Sequence, residues 1–159
     1  MQNKLVNERQ LSVKSPANGN LVDLTEVPDP VFSERLVGDG VAIEPTSNVF
    51  FAPVAGVITT VFPTKHVIAI TTSGGIELMV HVGIDTVNLN GAGFELFVSE
   101  GQKVKVGDKL LEVELDYLKS RVKSLISPIV IINLEKVKKI NKSAGAAIAK
   151  ETDIFTVEY

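Results

Sequence analysis

The chain has no cysteine in 159 residues. That absence excludes a disulfide framework, a thiolate nucleophile and a thiolate zinc site. Excess positive charge is also missing: 16 Lys and Arg stand against 19 Asp and Glu, for a net charge of −3. Nothing here marks the chain for nucleic acid or an anionic membrane. No apolar run approaches the roughly 20 residues of a membrane span. The opening residues, MQNKLVNERQ, lack the apolar core of a signal peptide. By default these absences place the protein in the cytoplasm. Histidine is scarce as well, with only His66 and His81 present.

With 45% hydrophobic residues, the chain is long enough for one domain with a sizeable core. Residues 1–13 read as a polar, flexible N-terminal segment, and 14–159 as a single domain. From Lys14 onward the pattern is short apolar runs broken by Gly and Pro. Strands are expected at Gly19–Leu24, Gly40–Glu44, Asn48–Ala52, Gly56–Phe62, Gly93–Val98, Lys109–Leu115, Ile129–Ile132 and Ile154–Val157. A hairpin around the histidines adds two more. Such a pattern predicts an all-β fold, an antiparallel β-sandwich or flattened barrel with one or two short helices. The helical candidates are Asp116–Ser124 and Leu134–Lys142, the second with Asn133 as its N-cap and Gly145 as its stop.

Two turns recur. Ser15-Pro16-Ala17-Asn18-Gly19 resembles Ala52-Pro53-Val54-Ala55-Gly56, and Val37-Gly38-Asp39-Gly40 resembles Val106-Gly107-Asp108-Lys109. Each leads into an apolar strand. The repetition suggests related halves over one core; the competing reading is that any β-sandwich reuses the same turn chemistry.

KHVIAITT (Lys65–Thr72) and GIELMVHVG (Gly75–Gly83) read as one hairpin turning at Ser73-Gly74. With a two-residue loop there, Ile68 faces Met79 and His66 faces His81. Directly opposed Cβ atoms lie about 4.5–5.5 Å apart, so the imidazoles would touch. A loop at Gly74-Gly75 puts them diagonal on one face, and a three-residue loop breaks the pairing unless a bulge restores it. The expected core face carries Val67, Ala69, Leu78, Val80 and Val82. The other carries His66, Ile68, Ile70, Met79 and His81, with Glu77 further along. Apolar neighbours keep imidazole neutral, and a neutral ring has a free nitrogen that can act as nucleophile. Two imidazoles on one wall make a phosphoryl acceptor, half of a metal site, or a pair of core histidines bonded to each other or to backbone. Thr64, two residues before His66, can orient that ring or simply start the strand. Asp85, beyond Gly83, can meet a basic partner or a cation, or be a turn aspartate.

The run GIELMVHVGIDTV (Gly75–Val87) resembles the signature around the phosphorylated histidine of glucose-type enzyme IIA, a component of the bacterial phosphoenolpyruvate-dependent sugar phosphotransferase system. Pro63-Thr64-Lys65-His66 is similar to that family's second histidine segment. Val27–Phe32, Val37–Gly40 and Glu100–Asp108 resemble further family segments, so the likeness runs from about Val13 to Val157. Pro30 and Met79 stand where other members can carry different apolar residues.

The resemblance implies that His81 accepts a phosphoryl group from the phosphocarrier protein HPr and passes it to a cysteine of an enzyme IIB domain. It implies that His66 stabilises the phosphorylated state and that Thr64 orients His66. It makes Phe32, Val37, Phe62 and Met79 parts of an apolar docking rim, with Asp29 and Asp85 supplying negative charge to basic residues of HPr. It also implies a β-sandwich or flattened barrel, no required cofactor, and regulated transporters or kinases as further partners. His66 and His81 together can bind zinc when a partner supplies a carboxylate. A membrane-touching N-terminal tail, known in some members, is not expected of a segment this weakly amphipathic. The initial Met and the closing strand favour a free chain over one fused to a permease.

Two rivals share parts of the pattern. A zinc hydrolase of similar β architecture needs about three protein ligands, usually with a His-x-His pair, and this chain has two unpaired histidines. A biotinyl- or lipoyl-like carrier module is suggested by Ala52–Gly56 and Val104–Asp108, but the hairpin tip at Ser73-Gly74 holds no lysine.

Overall fold

A computed structural model describes residues 9–159. Strands β1 (Gln10–Lys14), β2 (Gly19–Val22), β3 (Asp39–Pro45), β4 (Val49–Phe51) and β5 (Gly56–Val61) form the first third. β6 (Val67–Thr71), β7 (Glu77–His81), β8 (Phe94–Leu96), β9 (Lys103–Val104) and β10 (Lys109–Val113) follow. β11 (Ser127–Ile131), β12 (Lys139–Lys142), β13 (Gly145–Ala147) and β14 (Asp153–Glu158) complete the order. Two short α-helices, α1 (Pro30–Ser33) and α2 (Leu115–Lys119), interrupt them.

Every described pairing is antiparallel. An eight-stranded sheet runs β13-β2-β3-β11-β7-β6-β5-β9, and two three-stranded sheets run β1-β14-β12 and β4-β10-β8. The expected β-sandwich with short helices is the observed class; the sheets stay open, so the flattened-barrel form is not adopted. The main core lies between the layers. Phe50, Phe155, Ile68, Ile70, Leu78, Leu110 and Leu111 are fully buried there, each worth about 1.5–3 kcal/mol on transfer from water. A second cluster of Leu24, Val27, Phe32, Ala42, Ile84 and Val130 packs the segment around α1 onto the large sheet.

The strand orders are palindromic. From either end of the large sheet, β13 matches β9, β2 matches β5, β3 matches β6 and β11 matches β7, while β1-β14-β12 matches β4-β10-β8. The two Pro turns exchange bonds as related halves must: Lys14 N–H donates to Pro53 O (3.0 Å) and Phe51 N–H to Pro16 O (2.8 Å). The first sequence echo is therefore structural. The second is reused turn chemistry, because β3 and β10 are not equivalent. The counterpart of the Gly107 turn is the Lys150 turn. Gly107 N–H donates to Ala52 O and Lys150 N–H to Ser15 O, both at 2.9 Å, and both residues are left-handed (φ 89° and 69°).

Four expectations need correction. Residues 10–13 are not a flexible segment: Gln10–Lys14 pairs along β14, with Gln10 opposite Glu158; residues 1–8, and with them the N-terminal tail, lie outside the described residues. The helix expected over Leu134–Lys142 is a 3-10 turn at Leu134–Lys136 followed by β12. Asn133 stands at the N-cap position of that turn, but its side chain makes no cap bond; its amide donates to Gly75 O (2.7 Å) and its oxygen accepts from Glu77 N–H (2.9 Å), tying the histidine hairpin to the end of β11. The helix expected over Asp116–Ser124 spans only Leu115–Lys119. α1 went unread, although Asp29 caps it by accepting from Val31 N–H (3.0 Å) and Pro30 occupies its first turn.

Candidate functional site

The histidine hairpin turns through three residues, Ser73-Gly74-Gly75. Gly75 N–H donates to Thr72 O and Thr72 N–H to Ile76 O, both at 2.9 Å, with Gly75 left-handed (φ 88°). The register is then Val67 opposite His81, Ile68 opposite Val80 and Ala69 opposite Met79. Of the three possible loops the three-residue one forms, and it breaks the direct pairing of His66 with His81 across the ladder. The face assignment on β6 is overturned: Ile68 and Ile70 join Leu78, Val80 and Val82 in the main core.

The imidazoles meet nevertheless, because His66 belongs to a turn. Lys65 N–H donates to Phe62 O (2.8 Å), Phe62 N–H donates to Val67 O (3.0 Å), and Lys65 is left-handed (φ 68°). His66 therefore lies outside the strict strand alternation that starts at Val67. Its ring centroid sits 4.8 Å from that of His81, with the planes at 90°. Phe32 lies edge-on to His81 at 4.9 Å and Phe62 edge-on to His66 at 5.9 Å.

Each ring has one nitrogen occupied. His81 Nδ1 lies 2.8 Å from Gly83 O. A carbonyl only accepts, so Nδ1 carries the hydrogen and Nε2 keeps a free lone pair. His66 Nδ1 lies 2.9 Å from Thr64 Oγ1. Gly83 is left-handed (φ 73°), and a Cβ there would come within 2.9 Å of Thr86 Cγ2 and 3.2 Å of Ser124 O. The carbonyl that orients His81 thus depends on glycine.

Burial pushes His66 down from 6.5 to about 4, helped by the neighbouring His81, against a hydrogen bond to the Thr64 backbone. Burial also lowers His81, opposed by the Gly83 bond and by the charge of Asp29. Both rings are neutral at pH 7. The folded state refuses a proton that the unfolded chain binds, so stability is complete above pH 6.5 and falls as pH drops toward 4. His66, only 3% exposed, should cost about 2 kcal/mol between pH 7.5 and pH 5. Urea unfolding at both pH values tests this: His66→Gln should lose visibly less stability than the parent, and an equal loss would refute the assignment.

The remaining expected residues fall around this pair. Asp29 caps α1. Val37 and Met79 pack against the Phe32 cluster. Asp85 is exposed and left-handed (φ 66°) at the head of the 3-10 turn Thr86–Leu89. Exposed Val31, Leu36 and Val87 stand on or beside the segments that carry Phe32 and follow His81; sequence reasoning missed them, since exposure is not written in residue type. It also missed the Gly83 carbonyl, although a glycine two residues after a histidine was a readable sign of a turn. Among the described residues no group of three or more His, Cys, Asp or Glu could hold a metal, so His66 and His81 fit zinc only as two ligands needing a third from elsewhere. No described helix is long and apolar enough to cross a membrane.

Comparison with known proteins meets this geometry. The family model for the phosphoenolpyruvate-dependent sugar phosphotransferase system, EIIA 1, matches residues 11–137. The glucose-specific EIIA component of Buchnera aphidicola (subsp. Acyrthosiphon pisum) is 42% identical over 151 residues, 95% of this chain and 94% of the relative. That of Halalkalibacterium halodurans is 41% identical over 158 residues, 99% of this chain and 91% of the relative. The solved glucose permease IIA from Mycoplasma capricolum superposes with a TM-score of 0.87 at 41% identity, covering 93% of this chain and 96% of that one. Nothing supports the hydrolase or the biotinyl- or lipoyl-like module. The chain belongs to the EIIA 1 family of the phosphoenolpyruvate-dependent sugar phosphotransferase system and is a phosphoryl carrier in sugar uptake.

Proposed function

We propose that His81 Nε2 is the atom that carries the phosphoryl group, received from HPr and delivered to a cysteine of an enzyme IIB domain. The bond from His81 Nδ1 to Gly83 O carries this reading, because it leaves Nε2 as the free nucleophile. In the transfer, the Nε2 lone pair forms the new N–P bond while the donor's N–P bond breaks and its electron pair returns to the donor ring. No proton moves at His81. Its ring gains positive charge, which makes the Nδ1–H bond to Gly83 charge-assisted and attracts Asp29. Phosphoryl transfer is largely positioning and charge stabilisation, and the transfer needs no cofactor.

His66 then acts beside the phosphoryl group. Thr64 Oγ1, 2.9 Å from Nδ1, orients the His66 ring; we assign the hydrogen to Nε2, from which it is donated to a phosphoryl oxygen. Phe32, Phe62, Val37 and Met79 frame the pair and exclude water from a labile N–P bond, and Asp29 and Asp85 face the basic residues of HPr. With HPr as donor, the protein works in the cytoplasm. Its glucose-specific relatives suggest glucose as the sugar, the choice itself lying with the permease.

The test is to incubate the protein with phosphoenolpyruvate, enzyme I and HPr and to count phosphate. One acid-labile phosphate per chain is expected; none overturns the assignment.

A further inference from the structure

His81 is oriented by a carbonyl, and that carbonyl is itself held from a distant strand. Ile84 N–H, on the same peptide unit as the Gly83 carbonyl, donates to Ser124 O (2.8 Å). On the other side of Gly83, its own N–H donates to the Ser127 hydroxyl (3.0 Å). Ser127 Oγ in turn donates to Leu125 O (2.9 Å) and is fully buried at the start of β11. The Thr86 hydroxyl donates to Val82 O (2.6 Å), closing the turn from within. A chain of bonds therefore runs from the 124–127 segment through the Gly83 residue to His81 Nδ1.

We infer that Ser127 is a positioning residue for phosphoryl transfer: by holding Gly83 N–H it keeps the Gly83 carbonyl aimed at His81 Nδ1 and so keeps the lone pair on Nε2. This rests on the reading of His81 as the phosphoryl acceptor. The tautomer of an imidazole is set by the bond its other nitrogen makes, and linked hydrogen bonds polarise one another. Remove the Ser127 oxygen and the Gly83 N–H is left buried and unpaired. The Val82–Gly83 peptide can then turn about the left-handed Gly83 to seek another partner, which shifts the next peptide, now held only by Ile84 N–H on Ser124 O, and the Nδ1–H bond to its carbonyl weakens.

Ser127→Ala should lower the turnover of phosphate uptake roughly tenfold at saturating phosphorylated HPr, with KM unchanged. In ¹⁵N NMR the two His81 ring nitrogens, well separated in the parent, should move toward each other as the tautomers mix. Ser127→Thr, which keeps the hydroxyl, should stay within about twofold of the parent. Thr72→Val is the control: Thr72 Oγ1 accepts a buried N–H from Ile76 (3.1 Å) at the far end of the same hairpin, so its loss should change neither turnover nor tautomer. Unchanged His81 shifts in Ser127→Ala, or an equal loss in Thr72→Val, would overturn the inference. If the alanine variant does not fold, Ser127→Cys, with its weak acceptor, carries the same comparison. The NMR arm uses no phosphate donor. It judges Ser127 even if the parent protein takes up no phosphate, an outcome that counts against His81 as the acceptor.

Discussion

His81→Ala takes up no phosphate from phosphorylated HPr, a loss of at least about 10⁴-fold in rate. His66 cannot stand in for it. That ring is 3% exposed and has its Nδ1 against Thr64; with the hydrogen on Nε2, His66 offers no free lone pair to an incoming phosphoryl group. The folded state survives the change, because His81 is only half-buried and loses mainly its contact with Phe32; stability should fall by about 1–2 kcal/mol. The measurement is ³²P incorporation with circular dichroism on the same sample. Normal incorporation into folded His81→Ala would reject the site. In the parent, uptake should be flat above pH 6.5, where the ring is neutral, and should decline in acid as the nucleophile protonates.

His66→Gln has a different signature. It accepts phosphate at close to the normal rate and passes it to the enzyme IIB cysteine about 10²-fold more slowly. A glutamine amide can donate one hydrogen bond to a phosphoryl oxygen, so the resting phosphorylated state forms. What the amide cannot do is take up a proton. A phosphoryl dianion beside His66 raises that ring from about 4, and the attacking thiolate adds further negative charge. A ring that can become cationic is worth most at that moment. Single-turnover transfer measured separately in each direction tests the split; equal slowing of both steps would rule it out. Titration of the His66 ring by NMR, before and after phosphorylation, should show the rise directly.

Much of this was legible beforehand, for identifiable reasons. β-branched runs between Gly and Pro turns located most strands, since strand propensity and turn chemistry are local. β12 and β13 were missed because Lys139–Lys142 and Gly145–Ala147 are strands only through pairing with β14 and β2. The symmetry showed in one repeat, Pro16 against Pro53, and hid in the other, because a left-handed lysine at position 150 stands where the sister turn has Gly107. Side-chain identity does not reveal that conformation when tertiary contacts impose it.

The site divides along the same line. By itself the sequence determined that two rare histidines stand close along the chain in apolar surroundings, and its likeness to a known family assigned them unequal roles. It could not determine how they meet. Counting along the strands brought them face to face through a two-residue loop that does not form. Gly75 lengthens that loop, the left-handed Lys65 takes His66 out of strict alternation, and the pair meets by way of a turn. The free nitrogen was decided by the Gly83 carbonyl set against Nδ1, at a residue whose own N–H meets Ser127, 44 residues along the chain. Propensity and pattern act between neighbours in sequence, whereas a tautomer answers to whichever backbone group folding sets against the ring.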